Sequence, residues 1–235
     1  MATLETALSR TPTSFLDGVR SAGPVVLGYL PIGFAFGVLA RTTGLTIAEI
    51  ALMSLLVYAG SAQFIGAAMI GAGAAAPAII STTFLVNLRH LLMSTALVPS
   101  LKQNPPWQNC LLAYGITDET FALNSSLLQG RPASPAFVAG VHVASQSAWV
   151  LASMAGALAG QLAVNTEALG LDFALPAMFI GLLVPHFSGA ERAKKAVSAL
   201  TAAAFALGAL LLYPGSGWAI IGATLAGATV GVLLK

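Results

Sequence analysis

Residues 50–88 read IALMSLLVYAGSAQFIGAAMIGAGAAAPAIISTTFLVNL and contain no Asp, Glu, Lys or Arg. A transmembrane helix needs roughly 20 apolar residues, because the hydrocarbon core of a bilayer is about 30 Å thick. This run is long enough to cross a membrane twice with a tight turn between the crossings. Residues 132–166 and 196–234 are equally free of charged residues. The pattern predicts an integral membrane protein.

The overall composition leads to the same class. Hydrophobic residues make up 57% of the 235-residue chain and charged residues only 8%, whereas soluble domains carry about 25% charged residues. A soluble enzyme is therefore excluded, and so is a disordered chain, which needs low hydrophobicity and high net charge. A transmembrane barrel would require strands of about 10 residues with alternating hydrophobicity, and the sequence contains none. The predicted fold class is all-α, a polytopic transmembrane helix bundle.

Candidate spans follow from the apolar segments between short linkers. We predict eight, at residues 21–40, 47–70, 77–100, 107–129, 136–160, 173–188, 196–213 and 217–234. The span at 107–129 is the least certain member because it contains Asp118 and Glu119. Without it the bundle has seven spans, so the expected number is seven to eight.

The distribution of lysine and arginine predicts the orientation, since cytoplasmic loops are enriched in them. Lys and Arg are concentrated on the cytoplasmic side to the same extent for eight spans with a cytoplasmic N-terminus and for seven spans with an external N-terminus. We prefer eight. The prediction is then one transmembrane domain over 1–235, with a cytoplasmic segment at 1–20 and a cytoplasmic C-terminus. The net charge of +2 gives no reason to expect nucleic acid as a partner.

Two proline-containing spans resemble each other. Leu30-Pro31-Ile32-Gly33-Phe34 and Leu175-Pro176-Ala177-Met178-Phe179 share a leucine, a proline and a phenylalanine at the same spacing. Paired interrupted helices in corresponding halves of a chain often mark a transporter binding site. We therefore predict a possible inverted repeat, with Pro31 and Pro176 as the hinges of broken helices.

The residues that are least compatible with lipid lie at the middle of four separate predicted spans. These residues are Pro31 with Gly33, the run Tyr58-Ala59-Gly60-Ser61-Ala62-Gln63, the run Asn87-Leu88-Arg89-His90, and Asp118-Glu119. Polar groups inside a membrane are costly and usually mark a pathway or a binding site. Their common depth predicts one shared site rather than scattered exceptions.

Arg89 and Asp118 are the obvious ion pair within this set. One interpretation is a structural ion pair between two helices. The other is a functional pair, because a guanidinium suits a carboxylate ligand and a carboxylate can carry a proton. His90 follows the same two alternatives, either a structural hydrogen bond or a proton relay.

The predicted span at 107–129 contains a possible break of its own. Gly115 can end a first half, and Thr117 can cap a second half that begins at Asp118. The free N–H groups of such a half-helix could hold an anion. A continuous but kinked helix is the alternative.

The three polar motifs together resemble a known family. YAGSAQF at 58–64, NLRH at 87–90 and TDETFA at 117–122 occur in the order and at the intervals typical of the AzlC/YgaZ/BrnF family. The segments PIGFAFG at 31–37 and LPAMF at 175–179 are also similar to that family. The resemblance implies export of leucine, isoleucine, valine and methionine across the bacterial inner membrane. It also implies a small multi-pass partner subunit of the AzlD/YgaH/BrnE type.

The predicted function is a secondary transporter for branched-chain amino acids, driven by an ion gradient. Depth and motif membership give the candidate substrate-binding residues Gly33, Phe34, Tyr58, Gly60, Ser61, Gln63, Phe64, Asn87 and Arg89. The candidates for coupling to a proton or another ion are His90, Asp118 and Glu119. A substrate carboxylate would bind Arg89 or a half-helix N-terminus, and the ammonium would bind Asp118, Gln63 or unwound carbonyls near Gly33.

The sequence is also compatible with other function classes. A passive channel and a non-transporting scaffold subunit stay open as alternatives, and a homo-oligomer is possible. A hydrolase using Asp118 and Glu119 is disfavoured, because adjacent residues on a helix point about 100° apart. We expect no catalytic residue, no cofactor and no metal, since the histidines lack ligand spacing and no phosphate-binding loop is present.

Overall fold

The structure is a computed structural model that describes residues 13–128, 131–161, 170, 173, 180, 192–212, 226–227 and 229–233. Ten helices have defined bounds in these residues. They are α1 Phe15–Ser21, α2 Gly23–Thr42, α3 Ile47–Leu56, α4 Gly60–Gly71, α5 Ala76–Asn87, α6 Arg89–Leu101, α7 Pro106–Tyr114, α8 Asp118–Leu128, α9 Pro135–Gly160 and α10 Arg192–Leu212. The described part of the chain contains no strand.

Three segments of the described chain are long and apolar enough to cross a membrane. They are Gly23–Thr42, Ala76–Leu101 and Pro135–Gly160, and they coincide with the predicted spans at 21–40, 77–100 and 136–160. The prediction of an all-α transmembrane bundle is confirmed. The predicted spans at 173–188 and 217–234, with Pro176, lie largely or wholly outside the described residues.

Two compact units divide the chain, 1–176 and 177–235. The first contains α1 to α9. The second contains α10, where the Ser198 hydroxyl donates to the carbonyl of Gly227 over 2.6 Å. The prediction of a single domain over 1–235 stays a prediction.

Helix α9 is the central helix of the first unit and packs against α1, α2, α3, α7 and α8. Its contact with α2 depends on glycines at which the two backbones meet. A Cβ built on Gly37 would lie 2.0 Å from the carbonyl oxygen of Ser153, and one built on Gly156 would lie 2.0 Å from that of Phe34. Small residues permit this close approach in membrane bundles, so α2 and α9 form a tightly packed pair.

The second predicted span, 47–70, is not one continuous helix. Helix α3 ends at Leu56, and α4 begins at Gly60. Tyr58 has a φ of 42°, a left-handed conformation that costs a non-glycine residue about 1–2 kcal/mol and prevents the helix from continuing. The motif at 58–64 contains only one glycine, Gly60. A left-handed residue at Tyr58 was therefore difficult to predict from the sequence.

The carbonyl of Leu55, released by that break, is satisfied by side chains from two other helices. The Tyr114 hydroxyl and the Gln146 amide both donate to it, the latter over 3.2 Å. The same amide also contacts the Tyr114 hydroxyl. These bonds hold the end of α3 next to the end of α7.

The span at 107–129 is interrupted between Tyr114 and Asp118, as the first of its two alternatives predicted. Thr117 caps α8, because its hydroxyl oxygen accepts from the backbone N–H of Thr120 over 3.3 Å. A Cβ at Gly115 would lie 2.2 Å from Nδ1 of His142, so only glycine fits there. The absence of a side chain at Gly115 therefore lets His142 of α9 approach closely.

The segment Ala76–Leu101 has a milder irregularity at Leu88, where the chain leaves regular helix for one residue. The backbone N–H of Leu88 donates to the carbonyl of Leu85, and the N–H of Leu91 donates to the carbonyl of Leu88. Bonds between residues three apart are the tighter pattern of a 3₁₀ turn. The three interruptions, at residues 57–59, 88 and 115–117, coincide with the three polar motifs.

Pro31 does not break its helix, contrary to the prediction, because α2 runs from Gly23 to Thr42 without interruption. A proline removes one backbone donor but keeps a helical φ, and membrane helices tolerate it. The expected unwound carbonyls near Gly33 are therefore absent from this helix. Pro31 as a point of movement stays a prediction.

Candidate functional site

The three interruptions bring Ser61, Arg89 and Asp118 together, and we call these residues the ion-pair group. Arg89 and Asp118 are the first residues of α6 and α8, and Ser61 is the second residue of α4. The Arg89 Nη1 lies 2.9 Å from Asp118 Oδ2, and its Nη2 donates to the Ser61 hydroxyl over 2.5 Å. The predicted Arg89–Asp118 pair is thus present.

The electrostatics of this group are only partly balanced. Asp118 lies in the first turn of α8, where the helix dipole stabilises a carboxylate. Arg89 lies at the start of α6, where the dipole disfavours a cation, so its charge is stabilised by Asp118 and Ser61. The Nε of Arg89 and the Oδ1 of Asn87 are buried and make no hydrogen bond to the described residues. Both charged side chains remain about a quarter exposed, at 26% and 24%. The guanidinium is therefore paired with Asp118 and Ser61 and is still partly accessible.

His90 lies beside this group but bonds within its own segment. Its Nδ1 is 3.0 Å from the carbonyl oxygen of Asn87, across the irregularity at Leu88. No hydrogen bond joins His90 to Asp118 among the described contacts. The position suits a residue that stabilises the turn, and a proton-relay role for His90 stays a prediction.

Glu119 has different partners from those of its neighbour Asp118. The Tyr29 hydroxyl donates to Glu119 Oε2 over 2.7 Å and lies 2.6 Å from the Thr117 hydroxyl. Tyr29 is only 3% exposed and belongs to the continuous helix α2. We call Tyr29, Thr117 and Glu119 the tyrosine group. It ties the start of α8 to α2.

Gln63 is fully buried and is the centre of a third set of contacts, the amide group of Ser54, Gln63 and Trp149. Its amide donates to the Ser54 hydroxyl over 3.1 Å, and its carbonyl oxygen accepts from the Trp149 indole over 3.0 Å. All its members are buried. The group joins α3, α4 and α9 across the first interruption.

Replacing Gln63 with methionine should lower the free energy of unfolding by about 1–2 kcal/mol. The indole N–H of Trp149 would lose its acceptor, and an unpaired buried donor costs about 1–3 kcal/mol. The unfolding midpoint in detergent measures the effect. Gln103→Met, at an exposed site, is the matched control, and equal midpoints for both variants would contradict the prediction.

The apolar candidates serve the packing around these groups. Gly33 is buried against α9, since a Cβ there would lie 3.0 Å from that of Ala152. Phe64 meets Phe36 edge to face at 5.5 Å, and Phe34 presents its carbonyl to Gly156. No described contact brings Gly33 or Phe34 to the ion-pair group. Their predicted role in substrate binding stays a prediction.

Tyr58 and Gly60 flank the start of α4. The Tyr58 ring is buried and lies 6.5 Å from Tyr29 and 6.3 Å from Tyr114, measured between ring centroids. Gly60 is the first residue of α4 and is half-buried. Both therefore lie at the first interruption, where the motif placed them.

Sequence reasoning missed Tyr29, Trp149 and Phe36. The Tyr29 and Trp149 rings meet edge to face at 5.1 Å, and Phe36 stacks on Trp149 at 6.0 Å. Aromatic residues inside a span look like ordinary packing residues. The one available signal was the polar end of Tyr29 and Trp149, since a buried hydroxyl or indole N–H usually needs a partner.

Comparison with known proteins identifies the family. The sequence model described as AzlC protein matches residues 24–163, which include α3 to α9, all of α2 except Gly23, and all three groups. The chain belongs to the AzlC family. Every candidate site residue from Pro31 to Glu119 lies inside the AzlC match, and Pro176 lies outside it.

Individual relatives agree with membership of the AzlC family. An Archaeoglobus fulgidus protein named "Uncharacterized membrane protein" is 35% identical over 180 residues, 74% of this chain and 77% of its own. The inner membrane protein YgaZ of Escherichia coli is 32% identical over 181 residues, 74% of each chain. The branched-chain amino acid transport protein AzlC of Bacillus subtilis is 29% identical over 196 residues, 82% of this chain and 74% of its own. No solved structure matches the chain.

Proposed function

We propose that the chain is a secondary transporter that exports branched-chain amino acids across the bacterial inner membrane, driven by an ion gradient. The observation that supports it most is the ion-pair group, where a cation and a carboxylate meet at helix starts and stay partly exposed. The similarity to the Bacillus subtilis branched-chain amino acid transport protein AzlC supports the substrate class.

The proposed binding mode follows from the charges of an amino acid zwitterion. The substrate carboxylate binds the partly exposed guanidinium of Arg89, and the N–H groups at the start of α4 add favourable dipoles. The substrate ammonium binds Asp118. The zwitterion thus replaces the internal Arg89–Asp118 contact with two contacts of the same kind, so no charge is left unpaired at any stage.

The preferred side chains are those of leucine, isoleucine, valine and methionine. Charged side chains are disfavoured in this proposal because the buried aromatic residues around the site provide no compensating charge. Tyr58, Gly60, Ser61, Gln63, Phe64 and Asn87 are proposed to shape the site, with Gly33 and Phe34 behind it.

A small AzlD/YgaH/BrnE-like subunit is the proposed partner, and a second copy of the chain is an alternative one. The segment Ala76–Leu101 supports this, because it is the least buried of the three long apolar segments. Its exposed side chains include Ile80, Phe84, Leu91 and Leu92. We propose that the subunit and lipid share this surface, and that both termini of the chain are cytoplasmic.

Counterflow of radiolabelled leucine in proteoliposomes tests the proposal. Vesicles preloaded with unlabelled leucine should transiently accumulate the label, with the small subunit present and with lysine as the negative control. A carrier gives this overshoot because unlabelled leucine leaving the vesicle brings the binding site back to face the labelled leucine outside. A passive channel only equalises the concentrations of the label. No leucine exchange by folded protein with its subunit would contradict the proposal and favour a scaffold role.

A further inference from the structure

We propose that Glu119, held by Tyr29 and Thr117, takes up and releases the proton that couples transport, while Asp118 stays a substrate ligand. This inference rests on the proposed transport function and assigns its driving ion to one side chain. Sequence reasoning left the coupling role open between His90, Asp118 and Glu119.

The two neighbouring carboxylates have separate environments. Asp118 pairs with Arg89 at 2.9 Å, so its charge has a partner of opposite sign. Glu119 has no salt bridge within the described part of the chain. Its partners are the neutral hydroxyl of Tyr29 and the N-terminal turn of α8. A carboxylate without a paired cation can alternate between its charged and neutral forms.

The hydroxyl groups around Glu119 accommodate both of these forms. In the ionised form, Tyr29 donates to Glu119 Oε2 and can accept from Thr117. In the protonated form, the new Glu119 O–H can donate to the Tyr29 oxygen, and Tyr29 then donates to Thr117. Because either oxygen of the Tyr29–Thr117 pair can be the donor, the same heavy-atom positions serve both states.

This arrangement suits a proton better than a sodium ion. The phenol hydrogen lies between the Tyr29 oxygen and Glu119 Oε2, so the two oxygens cannot both direct lone pairs at a metal cation there. The proton balance is simple: the carboxylate gains one proton from one side of the membrane and loses it to the other. No redox or covalent step is involved.

The location of Glu119 explains how the proton would affect the substrate. Glu119 and Asp118 are consecutive in the first turn of α8, and Tyr29 fixes that turn to α2. The other groups that act electrostatically on Glu119 or on its partner Tyr29 are Asp118 and Tyr58, with Arg89 behind Asp118. Protonation of Glu119 would remove a negative charge next to the substrate ligand Asp118 and would replace the charge-assisted hydrogen bond from Tyr29 with a weaker neutral one.

The test compares Glu119→Gln with the unaltered protein in two assays on proteoliposomes. Leucine counterflow without an ion gradient should stay within about threefold, whereas leucine accumulation driven by an imposed pH gradient should fall at least tenfold. Glu49→Gln is the matched control. Glu49 is exposed and forms a capping box with Thr46, a motif in which glutamine substitutes for glutamate.

Each outcome separates this inference from the proposed function. Failure of counterflow in the unaltered protein would remove the proposed function itself. Normal counterflow with undiminished pH-driven accumulation by Glu119→Gln would overturn only the inference. Loss of both activities in folded Glu119→Gln, or accumulation driven by sodium alone, would also overturn it.

A second variant keeps the carboxylate and removes only its hydrogen bond. Tyr29→Phe deletes a donor to the ionised form, so Glu119 should protonate more readily. The pH profile of exchange should then move to higher pH by roughly one unit, since one unit corresponds to the loss of one such bond. An unchanged profile in a folded variant would overturn the inference, because a purely structural tyrosine would leave the profile in place.

Discussion

Leucine counterflow should fall by about thirtyfold or more in Asp118→Asn, with protein that still folds and reconstitutes. The substrate ammonium would lose its anionic partner, and truncating one member of a close charge pair costs about 2–5 kcal/mol, where each 1.4 kcal/mol corresponds to about tenfold. Arg89→Gln should lose activity to a similar extent, because it removes the cation that binds the substrate carboxylate. Asp17 is half-buried and lies in a capping box outside the site, and Asp17→Asn is the matched control.

The double variant Arg89→Gln with Asp118→Asn distinguishes substrate binding from a structural ion pair. Each single variant leaves one charge without its partner and should lower the unfolding midpoint. The double variant removes both charges, so it should recover most of that stability and still fail to exchange leucine. Recovery of exchange together with stability would show that the pair only joins α6 to α8.

The second large effect concerns folding, and we expect Gly156→Ala to prevent accumulation of the native protein. The added methyl group would lie 2.0 Å from the Phe34 carbonyl oxygen, and backbone atoms cannot move aside as a flexible side chain can. Helices α2 and α9 would have to separate along their whole contact. Overpacking costs about 1–3 kcal/mol even where side chains give way, and the cost here should exceed that range.

The same reasoning applies to Gly37→Ala on the opposing helix. Gly28→Ala is the matched control, because Gly28 belongs to the same helix and a Cβ there has no neighbour within 4 Å. Size-exclusion profiles and unfolding midpoints in detergent measure the effect. Gly28→Ala should match the unaltered protein, and normal folding of Gly156→Ala would contradict the close backbone contact between α2 and α9.

Much of the site was predictable from the sequence because charge is conspicuous inside an apolar chain. Arg89 and Asp118 were recognisable as a pair from their depth alone, and the structure brings them to 2.9 Å. The cap at Thr117 was recognisable because its side chain suits a helix start. Both predictions depend on local chemistry that the sequence displays directly.

Other features depend on tertiary contacts that no local pattern reveals. Tyr58 follows α3 with a left-handed backbone, although tyrosine rarely adopts one, and its ring packs between Tyr29 and Tyr114. Pro31 suggested a broken helix, but α2 tolerates it and is continuous. Tyr29 was overlooked because its role depends on Glu119, which is distant in sequence.

The location of Arg89 in the chain also constrains how the protein enters the membrane during synthesis. The ribosome completes the segment Ala76–Leu101 before Asp118 exists, and an unpaired arginine at the centre of a span costs about 2.5–3.5 kcal/mol at the translocon. Ser61 is already present but offers only a neutral hydroxyl. The charge of Arg89 can therefore be paired with Asp118 only after α7 and α8 have been made, so the ion pair joins segments that leave the ribosome at different times.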